Sequence, residues 1–191
     1  VWDDRLEPGV LQFGVEYPQQ SSRLLIFVRW LLVIPHVLLL YLVGMLTGVI
    51  GFVAWFAILF TGRYPRGMWD FVVMAQVWST NVASYILMLR DEYPPFGEGT
   101  YPVQFDLVYP AQLSRGLIFV KWLLIIPHLI VLWFLGIAGF FAYILAWFAI
   151  LVTGRYPRGL FRFMEGLLRW SLRVGIYSNL LTDHYPPFTM E

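Results

Sequence analysis

Leu24 to Thr61 reads LLIFVRWLLVIPHVLLLYLVGMLTGVIGFVAWFAILFT, an apolar run broken only by Arg29, His36 and a few small polar residues. Leu117 to Thr153 reads LIFVKWLLIIPHLIVLWFLGIAGFFAYILAWFAILVT and is broken in the same places by Lys121 and His128. About 20 helical residues cross the roughly 30 Å hydrocarbon layer of a bilayer, so a run nearly twice that length suits two crossings joined by a tight turn. Gly44, Thr47 and Gly48 offer the turn in the first run, Gly136 and Gly139 in the second. The alternative is a surface helix up to Ile34 followed by one long, tilted span from Pro35 to Thr61. Charge favours the hairpin. Arg23, Arg29, Arg63 and Arg66 flank both ends of the run, and the positive-inside rule places them all on the cytoplasmic side, which an even number of crossings achieves.

The rest of the composition agrees with a bilayer environment. Of 191 residues, 59% are hydrophobic and 13% charged, well below the soluble average of about 25% charged. The net charge of +1 hides a layout with arginines at the edges of the apolar runs and acids in short polar connections. With no cysteine there is no thiolate nucleophile, disulfide or Cys-ligated metal. The opening VWDDRLE is acidic rather than a basic segment before an apolar one, so insertion is expected to rest on the internal runs.

The two runs belong to one unit used twice. Pro35-His36 recurs as Pro127-His128, GRYPRG at Gly62 recurs at Gly154, and YPPF at Tyr93 recurs at Tyr185, each at an offset of 92 positions. Roughly half of the positions from Val10 to Phe96 are identical in the second copy, as expected of a tandem structural repeat. The organisation is an N-terminal segment (1–9), unit one (10–97), a glycine-containing linker (98–101) and unit two (102–191). Matched polar motifs imply copies of the same orientation, related by an axis along the membrane normal.

Each unit opens with a roughly alternating stretch, LQFGVEYP from Leu11 and VQFDLVYP from Val103, which predicts a short strand. Two such strands from one chain can pair at the membrane surface if something packs beneath them. Ser22 and Ser114 stand at helix N-cap positions. After GRYPRG comes a third helix, Met68 to Leu89 and Leu160 to Leu181. In the second copy Arg162, Glu165, Arg169 and Arg173 line one face of it, opposite Leu160, Met164 and Leu167, so it is amphipathic and suited to the interface. The first copy has Asp70, Val73, Val77 and Asn81 there, and the copies differ mainly in this helix. The fold class is therefore an all-α membrane protein of two tandem repeats. Each repeat has a short N-terminal strand, a transmembrane helical hairpin or one long kinked span, and an amphipathic interfacial helix.

Several residues are candidates for chemistry. His36 and His128 lie deep in apolar runs, where ionisable groups are often functional, and could ligate haem or chlorophyll through a neutral ring nitrogen. The stronger reading is structural, with each imidazole satisfying a polar partner near the proline break. Arg63, Tyr64 and Arg66, with Arg155, Tyr156 and Arg158, form a membrane-exit turn that contacts lipid headgroups, arginines snorkelling to phosphates and tyrosines in the aromatic belt. Trp30 and Trp122, beside Arg29 and Lys121, suggest the same anchoring, whereas Trp55 and Trp147 suit packing between helices. The Arg162, Glu165, Arg169, Arg173 stripe is an interfacial face, or more sharply a partner-docking face or path lining. Paired carboxylates and a phosphate-binding glycine loop are lacking, so an enzyme is the least supported class, and basic residues are too few for nucleic-acid binding.

YPVQFDLVYP, LSRGLIFVKWLLIIPH, AWFAILVTGRYPRGLF and LLTDHYPPF together resemble the DUF4389 family of bacterial membrane proteins, in both copies and over nearly the whole chain. The first copy departs from the pattern in its third helix, at Trp69, Ala75, Gln76 and Asn81. The resemblance implies a bacterial cytoplasmic membrane location and carries no catalytic residues with it. The expected function is a non-catalytic structural or accessory subunit that assembles laterally with itself or a larger membrane complex and contacts anionic lipid. Transport or lipid handling is the alternative, and a haem- or chlorophyll-binding module the third.

Overall fold

A computed structural model describes residues 9–191, so the acidic opening segment and most of the expected N-terminal segment lie outside the described residues. Two strands and six helices follow the repeat: β1 (Leu11–Val15), α1 (Leu25–Leu32), α2 (Ile34–Thr61) and α3 (Arg66–Ile86), then β2 (Val103–Leu107), α4 (Leu117–Leu124), α5 (Ile126–Thr153) and α6 (Arg158–Ser178).

The hairpin is not what forms. α2 and α5 are each one unbroken helix of 28 residues, about 42 Å long at 1.5 Å per residue. Gly44, Thr47 and Gly48 stay helical, and Thr47 Oγ1 donates to the Gly44 carbonyl at 2.8 Å within the helix. Glycine breaks a helix chiefly where water competes for its backbone, and it is common inside apolar helices that water does not reach. The interruption falls instead at Val33 and Ile125, next to Pro35 and Pro127, and separates α1 from α2 and α4 from α5. Together α1–α2 and α4–α5 make two segments of 37 residues long and apolar enough to cross a membrane.

Gly62 and Gly154 end the long helices at φ +69° and +68°, a left-handed conformation that glycine adopts without Cβ strain. α3 and α6 end differently, through Met88 and Leu180 at φ 61° and 63°. A non-glycine residue there costs about 1–2 kcal/mol, offset here by burial of Met88, Leu89, Leu180 and Leu181. The bend they make turns the chain back toward α1 and α4.

The strands pair antiparallel, with Phe13 opposite Phe105 at the centre. β1 packs on α6 and β2 on α3, so each strand rests on the third helix of the other copy. The exchange is systematic. Ser21 N–H donates to the Gly154 carbonyl at 2.9 Å and Leu113 N–H to the Gly62 carbonyl at 2.8 Å. Tyr17 and Tyr109 hydroxyls donate to the carbonyls of Tyr156 and Tyr64. Phe27 meets Trp147, and Phe119 meets Trp55, at 5.3 and 5.1 Å between ring centroids, as expected of tryptophans packed between helices. The sequence repeat is thus not the packing unit: the core runs through both copies.

Candidate functional site: buried polar pairs and arginine rims

Each apolar segment carries two polar side chains inward. Arg29 is 3% exposed and Lys121 2% exposed, so neither snorkels to a headgroup, which corrects the anchoring role expected beside Trp30 and Trp122. A cation buried this deeply needs a paired anion and bonded N–H groups. Arg29 donates to the carbonyls of Tyr85 and Arg90 and pairs with Asp91 at 2.5 Å, its guanidinium 4.5 Å from the Tyr85 ring centre. Lys121 donates to the Thr182 carbonyl at 2.6 Å, pairs with Asp183 at 2.7 Å and lies 4.9 Å from the Tyr177 ring centre. Asp91 and Asp183 also accept from the backbone N–H of Ser22 and Ser114. Each acid therefore ties the start of its unit to the end of its third helix. Ser22 and Ser114 accept in turn from Leu25 and Leu117 N–H at 3.3 and 3.4 Å, but the helices start later than the N-cap reading expects, with Leu24 and Gly116 at the cap positions and no side-chain cap there.

Immediately after the proline, His36 and His128 are fully buried. Trp78 Nε1 donates to His36 Nδ1, and Trp170 Nε1 to His128 Nδ1, both at 3.0 Å. YPPF forms the lid. Phe96 stacks on His36 at 4.0 Å and 9°, Phe188 on His128 at 3.9 Å and 15°, and Tyr93 and Tyr185 close the side at 4.9 and 5.0 Å. The same tyrosines donate to the Leu32 and Leu124 carbonyls at the proline break. An indole N–H only donates, so Nδ1 must carry the lone pair and Nε2 the proton. Neither nitrogen then offers a lone pair to iron or magnesium; phenylalanine covers one ring face, and Nε2 is buried with no hydrogen-bond partner among the described residues. The arrangement fits a structural histidine and does not fit a haem or chlorophyll ligand.

The GRYPRG turns divide. Arg63, Arg66, Arg155 and Arg158 are exposed at the ends of α2 and α5. Tyr64 and Tyr156 are 1% exposed and belong to the core, a correction to their expected headgroup role. Burial pushes the Tyr64 phenol up to about 12 and raises that of Tyr156 as well. The carbonyls of Tyr156 and Tyr64 accept from the hydroxyls of Tyr17 and Tyr109, which follow the strand of the other copy.

The charged face of α6 is largely committed to the chain itself. Glu165 accepts from Val15 N–H at 3.1 Å and pairs with Arg169 at 2.9 Å, and Arg169 donates to the carbonyls of Phe13 and Met190. These contacts satisfy the free edge of β1, a row of backbone groups that would otherwise invite another strand. Arg173 is partly buried and burial lowers its pKa. Only Arg162 remains fully exposed, paired with no acid among the described residues. In copy one the equivalent positions are Val73 and Val77, so α3 lacks this charged pair.

Asp91, Asp183, Trp78 and Trp170 were not singled out from the sequence. Their signal was available: each is identical between copies while its neighbours, such as Val77 against Arg169 and Glu92 against His184, are not.

The profile described as "Domain of unknown function (DUF4389)" matches twice, over residues 23–97 and 115–190. No curated protein and no solved structure matches the chain. The two matched stretches hold the buried pairs, the histidine boxes and the GRYPRG turns, and leave out both strands.

Proposed function

Because the chain belongs to the DUF4389 family in both of its halves, we propose that it is a non-catalytic integral membrane protein of the bacterial cytoplasmic membrane. In this reading it serves as a structural or accessory subunit, held in the bilayer by α1–α2 and α4–α5 and packed laterally against itself or a larger complex. The observation that carries the reading is the exposure of the apolar segments. Only 6% of the most apolar window in Leu25–Thr61, and 17% of that in Leu117–Thr153, is buried within the chain. A core helix of a soluble protein is mostly buried, and an exposed apolar surface of this extent needs lipid or protein against it. The two cations of these segments, Arg29 and Lys121, are turned inward and paired with Asp91 and Asp183, as a hydrocarbon surround demands. Gly44 and Gly48, four apart on the exposed side of α2 with nothing within 4 Å of their Cβ positions, are where a second helix can approach most closely.

Alkaline carbonate washing of membranes from expressing cells tests insertion, with the chain expected to stay in the pellet and to leave only with detergent. Release into the supernatant overturns the reading. The chain has no cysteine, so a single Gly48→Cys change allows oxidative cross-linking in native membranes. A covalent dimer or a discrete larger adduct supports lateral assembly. A lone monomer that co-purifies with no other protein in mild detergent refutes it.

A second reading, lipid handling, is favoured by one feature. A cleft of about 410 Å³ between α5 and α6, lined by Gly136, Gly139, Phe140, Tyr143, Met164 and Leu167, is almost wholly apolar, the chemistry an acyl chain needs. Glu165 and Arg169 give this reading no support as a path, since both are held by β1 and the C-terminal tail.

A further inference from the structure

The ends of α2 and α5 are each surrounded by arginines from both copies, and the two rims are unequal. At the end of α5, Arg155, Arg158 and Arg162 are joined by Arg23 of the other copy. Its guanidinium lies so close over Gly154 that a Cβ there would stand 3.3 Å from Nε. At the end of α2, Arg63 and Arg66 are joined by Arg115, with the corresponding separation 3.5 Å. All seven arginines are exposed. The difference lies one turn into the third helix. Asp70 pairs with Arg66 at 3.0 Å, whereas the equivalent residue in copy two is Arg162, adjacent to Arg158 on the helix surface. The α5 rim therefore has four arginines and no paired acid among the described residues, and the α2 rim three arginines and one acid. The carbonyls at a helix C-terminus amount to only about half a negative charge, which leaves most of the α5 rim uncompensated. Both rims have an aromatic floor, Tyr17 at 5.6 Å from the Arg158 guanidinium carbon and Tyr109 at 4.7 Å from that of Arg66, so the charge difference is what separates them.

We propose that the α5 rim, Arg23 with Arg155, Arg158 and Arg162, is a specific site for the phosphodiester group of an anionic phospholipid, and that the α2 rim is its weaker counterpart. The site rests on the membrane reading above, because it places these arginines just past Thr153, at the depth of the headgroups. Neither copy builds it alone: Arg23 reaches it only because the segments before α1 and α4 are exchanged. The Asp70 to Arg162 difference between copies makes the sites unequal in affinity. Each arginine near an anionic surface is worth about fivefold in binding, so a difference of two charges separates the sites by on the order of thirtyfold.

The test is a titration of the full chain, in neutral detergent micelles, with short-chain phosphatidylglycerol or phosphatidylcholine, the bound lipids counted by native mass spectrometry. Two phosphatidylglycerols should bind, the first about thirtyfold tighter than the second, with phosphatidylcholine weaker at both. Arg23→Gln should weaken the first about fivefold and spare the second, and Arg115→Gln should do the reverse. Asp70→Arg should tighten the second lipid until the two constants converge, a gain that a misfolded variant cannot imitate. The proposal is overturned if Arg162→Asp and Asp70→Arg leave both constants unchanged, or if phosphatidylcholine binds as well as phosphatidylglycerol. Displacement of the lipid by equimolar inorganic phosphate would assign the rim to free phosphate and also overturn it. Failure here with the chain still resistant to carbonate removes the site alone. Release by carbonate removes the membrane reading beneath it.

Discussion

Replacing Asp91 with asparagine tests whether the buried cations hold the units closed. Asp91 pairs with Arg29 at 2.5 Å, the arginine side chain 4% and the aspartate 25% exposed. Two unit charges about 4 Å apart at an effective dielectric near 20 interact by about 4 kcal/mol, and breaking a buried pair by removing one partner costs about 3–5 kcal/mol. Three features reduce the loss. Arg29 keeps the carbonyls of Tyr85 and Arg90, asparagine still accepts one bond, and the exposed quarter of Asp91 lets water replace part of the charge. The expected loss is about 2–3 kcal/mol, which for a chain of this size lowers the melting midpoint by about 4–12 °C. Asp183→Asn should cost more, because Lys121 keeps one backbone carbonyl, that of Thr182, where Arg29 keeps two. The assay is thermal unfolding in mild detergent, followed by circular dichroism, for both single variants and for Arg29→Met with and without Asp91→Asn. In that cycle the pair should show a coupling of about 2 kcal/mol. A coupling below about 0.5 kcal/mol, the level of an exposed pair, would refute the claim that this contact is buried and stabilising.

The histidine boxes predict that Trp78→Phe, which keeps an aromatic ring and deletes the donor to His36 Nδ1, costs about 1–3 kcal/mol for the buried nitrogen left unpaired. Trp170→Phe should match it, and melting midpoints equal to that of the unmodified chain would show that the bond is not made. Burial sets Tyr64 at about 12 and raises Tyr85, Tyr156 and Tyr177 above the ordinary 10.0. A phenol whose folded pKa is raised contributes stability that is complete below its unfolded pKa and is lost as the pH rises through its folded one. The fold should therefore weaken from pH 10.0 and open by about 12, seen as delayed phenolate absorbance that emerges together with loss of helix. Titration of all 11 tyrosines as a single class with ordinary phenol behaviour would refute the buried placement.

Some of this was legible in the residues themselves. A fixed offset of 92 positions, apolar runs and alternation before each run depend only on local chain physics, and they place the repeat and the strands; the break, expected at the glycines, falls instead beside the proline. The amphipathic stripe on α6 could likewise be read from spacing. What that face touches could not, because a charged stripe looks the same whether it meets headgroups, a partner or the edge of β1. The hairpin expectation failed for a related reason: it read the basic residues at the ends of the run by position alone, without their partners. Arg29 is a buried ion paired with an acid 62 positions away, and Arg23 sits at the end of the other copy's long helix.

Sequence alone determined that one unit is used twice and which of its segments are helical or extended, since periodicity and proline act within a few residues. Tertiary structure decided that the two units exchange their opening segments, that tyrosines in an arginine-rich turn face inward, and that histidine, tryptophan and YPPF close on one another. Those outcomes come from pairing buried charges and unsatisfied backbone groups with whatever the fold brings near, and such partners lie tens of residues apart, beyond the reach of any local pattern.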